Sequence, residues 1–309
     1  MALRKTKTSS FEKSQNRALT TLALPAIILL LLFNYLPMGG LVLAFKNYRF
    51  DKGIWGSDWV GLKNFEFFFQ SQDAWRVTRN TIGLNCLFIV SVTVGAVFLA
   101  ILLNEITKKK WVKFYQTSLF FPYFLSWPVV AVIVLAFLNT DLGIANQALR
   151  LVGIEPMMWY SEAQAWPIIL VAVNFWKAVG YNTIIYYAGI LALDHSYYEA
   201  AVVDGASSWQ MKTQITIPLL LPLVTIMTLI QLGHIFHADF GLFYMIPQDT
   251  GALYSTTDVI DTYVYRSLRV VGDTGMAAAI GFYQAIVGFA LVLIVNSIVR
   301  RFNSDNALF

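Results

Sequence analysis

The residues of this chain best suited to chemistry are polar side chains set inside long apolar runs. One run holds Asn174, Trp176, Lys177, Tyr181, Asn182 and Thr183. A second holds Gln231 and His234, and a third holds Tyr283, Gln284 and Asn296. A polar group in such a run is costly and turns toward a cavity or a partner helix. Amides beside aromatic rings suit a polar solute such as a sugar, whose apolar faces stack on rings while its hydroxyls take amide partners. The same amides also serve as interhelical hydrogen-bonding groups, and the same rings as membrane belts. Both readings stand at this point. Lys177 must either snorkel or find a partner, and an acidic group of a solute or of another subunit would supply one.

None of these groups forms a catalytic constellation. Bond chemistry at membrane depth needs paired carboxylates, a histidine cluster or a nucleophile with its base. His234 and His237 have one-turn spacing, but no Cys or carboxylate is spaced to complete a metal shell. No metal, no cofactor and no enzymatic activity is expected. The GxxxxGK[ST] phosphate loop is absent, so no such loop on this chain energises transport with ATP. His195 reads as a surface residue.

The elements that position these groups follow from composition. The 309 residues are 57% hydrophobic and 13% charged, with a mean hydropathy of +0.60. A soluble domain averages about 25% charged residues, so the chain is read as an all-α polytopic membrane protein. Six apolar runs cover about 22–45, 77–103, 117–138, 165–193, 215–236 and 276–299. The first is longer than a signal-peptide core and lacks a small-residue cleavage site, so it is read as a span behind a polar segment, 1–21. Residues 22–309 then form one transmembrane domain. Pro25 and Pro37 should bend the first span, and the third contains Pro122 and Pro128. Cys86 is the single cysteine, which excludes an intrachain disulfide.

Charge sets the orientation. The inner segments carry twelve basic and six acidic residues, with Lys108, Lys109, Lys110 and Lys113 the densest basic cluster. The outer ones, counting Arg79 at the head of the second span, carry nine and twelve. Basic residues gather on the cytoplasmic side, so both termini are expected there, in a cell membrane. The N-terminal Arg4, Lys5, Lys7, Lys13 and Arg17 serve that anchoring better than nucleic-acid binding. A polybasic stretch also attracts anionic lipid. The outer segment 46–75, with Trp55, Trp59, Phe65, Phe67, Phe68 and Phe69, reads as an interfacial element of the outer leaflet, compatible with docking of an extracytoplasmic partner.

Between the fourth and fifth runs lies a loop, 196–214, with its own structure. Ser196 and Glu199 have capping-box spacing, Gly205 stands where a left-handed cap belongs, and Ser207 with Gln210 repeats the box. The expectation is helix, glycine turn, helix: a rigid knob facing water.

The residues Glu199-Ala200-Ala201, Asp204-Gly205-Ala206, Trp209, Ile215, Pro218 and Pro222 resemble the cytoplasmic EAA loop of ABC-importer permeases, nearest to the sugar-type branch that handles larger oligosaccharides. The likeness extends to Asn80-Thr81, Phe120-Phe121-Pro122, Trp176 through Gly180 and Ala188-Gly189. Met211 and Ile217 depart conservatively from positions where that loop often carries an aromatic and a leucine. The resemblance implies a type I permease fold and a translocation path shared with a second permease. It also implies two cytoplasmic ATPase subunits and an extracytoplasmic sugar-binding protein or lipoprotein, with membrane lipid around them. Glu199, Ala200, Ala201, Asp204, Gly205, Ala206 and Trp209 would then contact or shape the surface docked on the ATPase. A self-sufficient secondary transporter would instead show inverted repeats. An integral membrane enzyme would need the missing constellation, and neither rival accounts for the knob.

Overall fold

The computed structural model describes residues 10–302, so Arg4, Lys5 and Lys7 lie outside the described residues. In chain order the principal helices are α1 (Ser10–Leu30), α2 (Lys63–Gln70), α3 (Gln72–Asn104), α4 (Lys109–Phe120), α5 (Trp127–Leu138) and α6 (Trp166–Leu191). They continue with α7 (Ser196–Val203), α8 (Ser208–Met211), α9 (Ile217–Gly233), α10 (Ile260–Arg266) and α11 (Thr274–Phe302). The one sheet among the described residues is an antiparallel pair, β1 (Lys46–Asn47) with β2 (Asp58–Trp59).

Five stretches are long and apolar enough to cross a membrane: Ala18–Phe45, Gln72–Asn104, Ala163–Leu191, Ser208–Gly233 and Thr274–Ser297. A sixth crossing needs a broken pair, Lys109–Phe124 with Trp127–Leu138, whose halves meet at 97°. The first crossing passes from α1 through a π turn, Leu31–Tyr35, just ahead of Pro37. That proline cannot donate to the carbonyl one turn back, and the wider turn takes up the mismatch. Leu22 and Phe33 of this crossing are exposed, as suits a helix solvated by lipid.

The bundle is built on α3 against α6. Ala96 and Ala100 meet Val179, Tyr186 and Ile190, with Leu220 of α9 completing the cluster. Small residues set the distance of approach. A Cβ on Gly95 would stand 2.3 Å from the Phe175 ring, and one on Gly180 would stand 1.8 Å from the Leu119 carbonyl oxygen. Close backbone approach at glycine is how apolar helices gain packing when burial from lipid gives little. The outer aromatics are absorbed by packing in part, while Trp59 and Phe69 keep more than half their surface exposed. The Phe65 ring lies 5.9 Å from Phe282, Phe68 lies 5.9 Å from Tyr283, and Phe69 lies 5.2 Å from Tyr283. Phe50 and Trp55 stay exposed.

Where the sequence reads a single span over 117–138, the chain turns a corner. Pro122 opens a 3₁₀ turn, Phe121–Phe124, and Pro128 opens α5, with Ser126 extended between them. Two prolines six positions apart remove two helical donors, and carbonyls at the corner are left without helix partners. Lys177 supplies the replacement. Its ammonium donates to Tyr123 O at 2.9 Å and Leu125 O at 2.6 Å, with Pro122 O at 3.5 Å. It also sits over the Tyr123 and Trp127 rings, 5.7 and 5.1 Å from their centroids.

An ionic staple holds the outer segment to the head of α3. Asp258, 1% exposed, accepts from Arg76 at 3.1 Å and from Thr262 at 2.9 Å, and it pairs closely with Arg266. Asn80 donates to the Asp258 carbonyl at 3.0 Å, and the Ile260 N–H donates to Thr81 Oγ1 at 3.0 Å. Arg266 also reaches Asp249 at 2.8 Å, and Arg76 reaches Asp73 at 2.6 Å.

Two outcomes follow. Asp258→Ala leaves Arg76 and Arg266 facing a buried void without their shared carboxylate. It should cost about 3–5 kcal/mol, read as a lowered melting midpoint of the detergent-purified chain. Lys177→Met removes the charged donor from two carbonyls and should cost about 2–4 kcal/mol, whereas Lys177→Arg should retain most of it. An unchanged melt for the methionine variant would mean that water already serves those carbonyls.

Candidate functional site

The knob is built almost entirely by local sequence. α7 ends in a Schellman motif: the Ala206 N–H donates to Ala201 O at 2.9 Å and the Gly205 N–H to Val202 O at 3.1 Å. Gly205 takes φ +77°, and a Cβ there would meet nothing within 4 Å. Its requirement for glycine is therefore conformational, with no steric component. At the start of α8 the Ser207 side chain accepts from the Gln210 N–H, and the Gln210 side chain accepts from the Ser207 N–H, the reciprocal capping box expected there.

The first box is corrected. His195 already has helical dihedrals, so Ser196 lies inside α7 and Glu199 caps nothing. The Ser196 N–H is taken by the Asp194 carboxylate at 2.9 Å. That carboxyl is held below the usual carboxylate range by this backbone hydrogen bond first, and by the Ser196 hydroxyl second. Asp194 wins because it reaches the free N–H from outside the helix, with no turn to unwind. Glu199 is left exposed, alongside His195, Ala200, Asp204 and Gly205. Ala201 and Ala206 are half-buried. Val203 at 87% and Trp209 at 71% give the knob an apolar tip. Behind the tip Lys212 pairs with Glu105, and the Tyr198 hydroxyl meets Thr216 at 2.8 Å.

The second feature is a cavity of about 300 Å³ among α3, α6, α9 and the segment after α9. Its polar lining comes from Asn85, Asn174, Asn182, Gln231, His234, His237 and Asp239, set among Phe88, Ile89, Val92 and Ile230. Asn174, Ala178 and Asn182 follow each other at four-residue spacing and so share one stripe of α6. Asn85 donates to Ile235 O at 2.7 Å, which ties the mouth of the cavity to α3. The His234 and His237 rings stand 6.5 Å apart. The arrangement offers amide donors and acceptors on an apolar wall, with one carboxylate at the edge.

Of the polar residues singled out within the apolar runs, Asn174, Asn182, Gln231 and His234 meet in this cavity, whereas Trp176, Lys177, Tyr181, Thr183, Tyr283, Gln284 and Asn296 are not in its lining. Tyr181 stacks on Tyr123 at 4.7 Å and 13°, beside Lys177 at the elbow. Trp176 is exposed on the outside of α6. The Tyr283 hydroxyl meets Thr78 at 3.2 Å. Gln284 is buried, donating to the Phe236 carbonyl and to Asp261 at 3.1 Å. Asn85, His237 and Asp239 are additional lining residues, and Asp239 takes the Trp127 indole N–H at 2.9 Å. An aspartate in an outer loop and an amide in the second span carry no local sign that they converge, so only the fold identifies them.

These features can be set against known proteins. Residues 87–304 match the family described as binding-protein-dependent transport system inner membrane component. Protein LplB of Bacillus subtilis (strain 168) is 31% identical over 291 residues, 94% of this chain and 91% of that protein. The polygalacturonan/rhamnogalacturonan transport system permease protein YteP of the same strain is also 31% identical over 291 residues, covering 94% and 90%. Among solved structures, that of a bacterial alginate ABC transporter in complex with alginate pentasaccharide-bound periplasmic protein contains a similar chain. It superposes with a TM-score of 0.85 at 33% identity, over 94% of this chain and 96% of that one. The chain therefore belongs to the family of binding-protein-dependent inner membrane transport components, and it is a transmembrane permease subunit of an ABC importer.

Proposed function

We propose that this permease carries a complex oligosaccharide and that the knob at 196–214 is its coupling element to an ATPase. The observation that carries the reading is the rigid, apolar-tipped knob, whose Val202, Val203 and Trp209 are exposed. A helix pair fixed by a Schellman turn and a capping box loses little further freedom on docking. Glu199, freed from capping, can meet a cation on the partner. Ala200, Ala201, Asp204 and Ala206 shape the surface around the Gly205 turn. When the ATPase subunits close, the knob moves with them. Its covalent continuity with α6 and α9 transmits that motion to the bundle.

The substrate reading rests on the cavity, with Asn174, Asn182, Gln231 and His234 as the path residues it brings together. Neutral amides on an apolar wall suit hydroxyls and ring faces. A relative transports polygalacturonan and rhamnogalacturonan, and a structural neighbour imports alginate, which supports a polymeric sugar. A second permease, two cytoplasmic ATPase subunits and an extracytoplasmic sugar-binding protein complete the assembly. Both termini lie in the cytoplasm of a plasma-membrane complex, as the charge bias favours.

Two experiments test this. Gly205→Val forces a β-branched residue to positive φ at a cost of about 1–3 kcal/mol. It should abolish co-purification of an ATPase with the tagged chain while the second permease stays bound. Gly205→Asn should retain the ATPase, because Asn accepts the left-handed region. An ATPase that stays with the valine variant would remove the coupling role. Within the cavity, Asn174→Leu and Asn182→Leu should each lower apparent sugar affinity in proteoliposome uptake about fivefold, one hydrogen bond's worth, with ATPase binding intact. Uptake at wild-type affinity in the double variant would place the path elsewhere.

A further inference from the structure

A second cavity, about 320 Å³ in volume, opens beside the first intracellular-side loop and is not part of the path. It is a groove between the end of α3 and α4, lined by Leu99, Leu102, Leu103, Ile106, Tyr115 and Leu119. Every lining residue is apolar apart from the tyrosine hydroxyl. The residues before and within the start of α4 are Lys108, Lys109, Lys110 and Lys113, all exposed. None of the four takes part in an ion pair among the described residues. Glu105, the nearest acid in the chain, is already engaged by Lys212. Tyr115 and Leu119 share one face of α4 and line the groove, and Lys108 is the extended residue that immediately precedes this helix, at its polar end. Trp111, Phe114 and Tyr115 cluster around that end, with centroids 5.6 to 6.2 Å apart and Phe114 edge to face with both neighbours. Such rings settle at headgroup level.

We infer that this groove is a binding site for one anionic phospholipid of the inner leaflet. An acyl chain lies along Leu99, Leu103 and Leu119, and the phosphodiester meets Lys108 with Lys109 or Lys110. Charge complementarity selects the occupant: a zwitterionic headgroup would leave the lysine cluster repelling itself, whereas an anionic one neutralises it. The Glu105–Lys212 pair joins the same loop to the base of the knob. An occupied groove therefore braces the knob's support from the membrane side.

The test uses the full chain with its co-purifying subunits, delipidated and then given phosphatidylglycerol or phosphatidylcholine, with bound lipid counted by native mass spectrometry. Wild type should retain phosphatidylglycerol about tenfold or more over phosphatidylcholine, a preference that added salt weakens. Replacing the four lysines by Gln should abolish the preference. These side chains are exposed and unpaired, so the fold should survive, and an unchanged melting midpoint checks that it does. Leu119→Trp fills the groove and leaves the lysines in place, and it too should expel the lipid. A preference that survives Lys→Gln overturns the site. One that survives Leu119→Trp overturns the groove in favour of diffuse surface charge. No retained lipid of either kind in the wild type means a partner helix occupies the groove, which also overturns the inference.

Discussion

A carbonyl oxygen inside a bilayer must find a donor from the protein itself, and the elbow between α4 and α5 is organised by that requirement. Two prolines break the helix, and the Lys177 ammonium closes the break from the middle of α6. The consequence spreads outward. With the elbow fixed, Trp127 holds its indole against Asp239. Gly241 must then be glycine, because a Cβ there would stand 2.1 Å from the Trp127 ring. Asp239 in turn accepts from the Gly241 N–H at 3.0 Å and sits on the rim of the amide-lined cavity. A charged side chain that suggests a ligand for an acidic solute is thus occupied in shaping the wall of the amide-lined cavity.

The outer staple does complementary work. Asp258 is buried where no water can share it, so its two arginines and its threonine must be present together. That network fastens the segment after α9 onto Asn80 and Thr81, and Asn85 of the same helix holds Ile235. Cavity geometry therefore depends on two polar devices, one at the elbow and one at the outer face. The elbow uses a charge to replace backbone partners that a broken helix has lost, whereas the staple adds side-chain ion pairs to the neutral backbone bonds made by Asn80 and Thr81.

At the opposite end the knob depends on neither. Its turn is specified by Gly205, its second helix by Ser207 and Gln210, and its orientation by contacts at its base such as Tyr198 with Thr216. A surface that is rigid before contact leaves less ordering to any docking step. The exposed Val203 and Trp209 are costly in water and suited to a partner's groove. With the family established, this division of labour suits a permease whose driving force is applied from outside its own chain.

The sequence by itself determined whatever is encoded within a few residues. Apolar run length marked five helices long enough to cross a membrane, Gly205 marked the left-handed turn, and Ser207 with Gln210 marked a helix start, because each depends on geometry that neighbours set. It failed at Ser196, where Asp194, two positions upstream, competes for the same N–H, and over 117–138, where two prolines split one apolar run into helices that meet at 97°. The four-residue spacing of Asn174 and Asn182 was also legible as one face of α6. Tertiary structure alone decided which polar groups meet. Asn85 and His237 are joined to that face from 89 and 55 residues away along the chain from Asn174 and Asn182 respectively. Lys177 and Tyr181, between the two asparagines in sequence, point to the elbow instead. Both facts rest on how helices pack and on which broken backbone needs a donor, and neither quantity is a property of any local window.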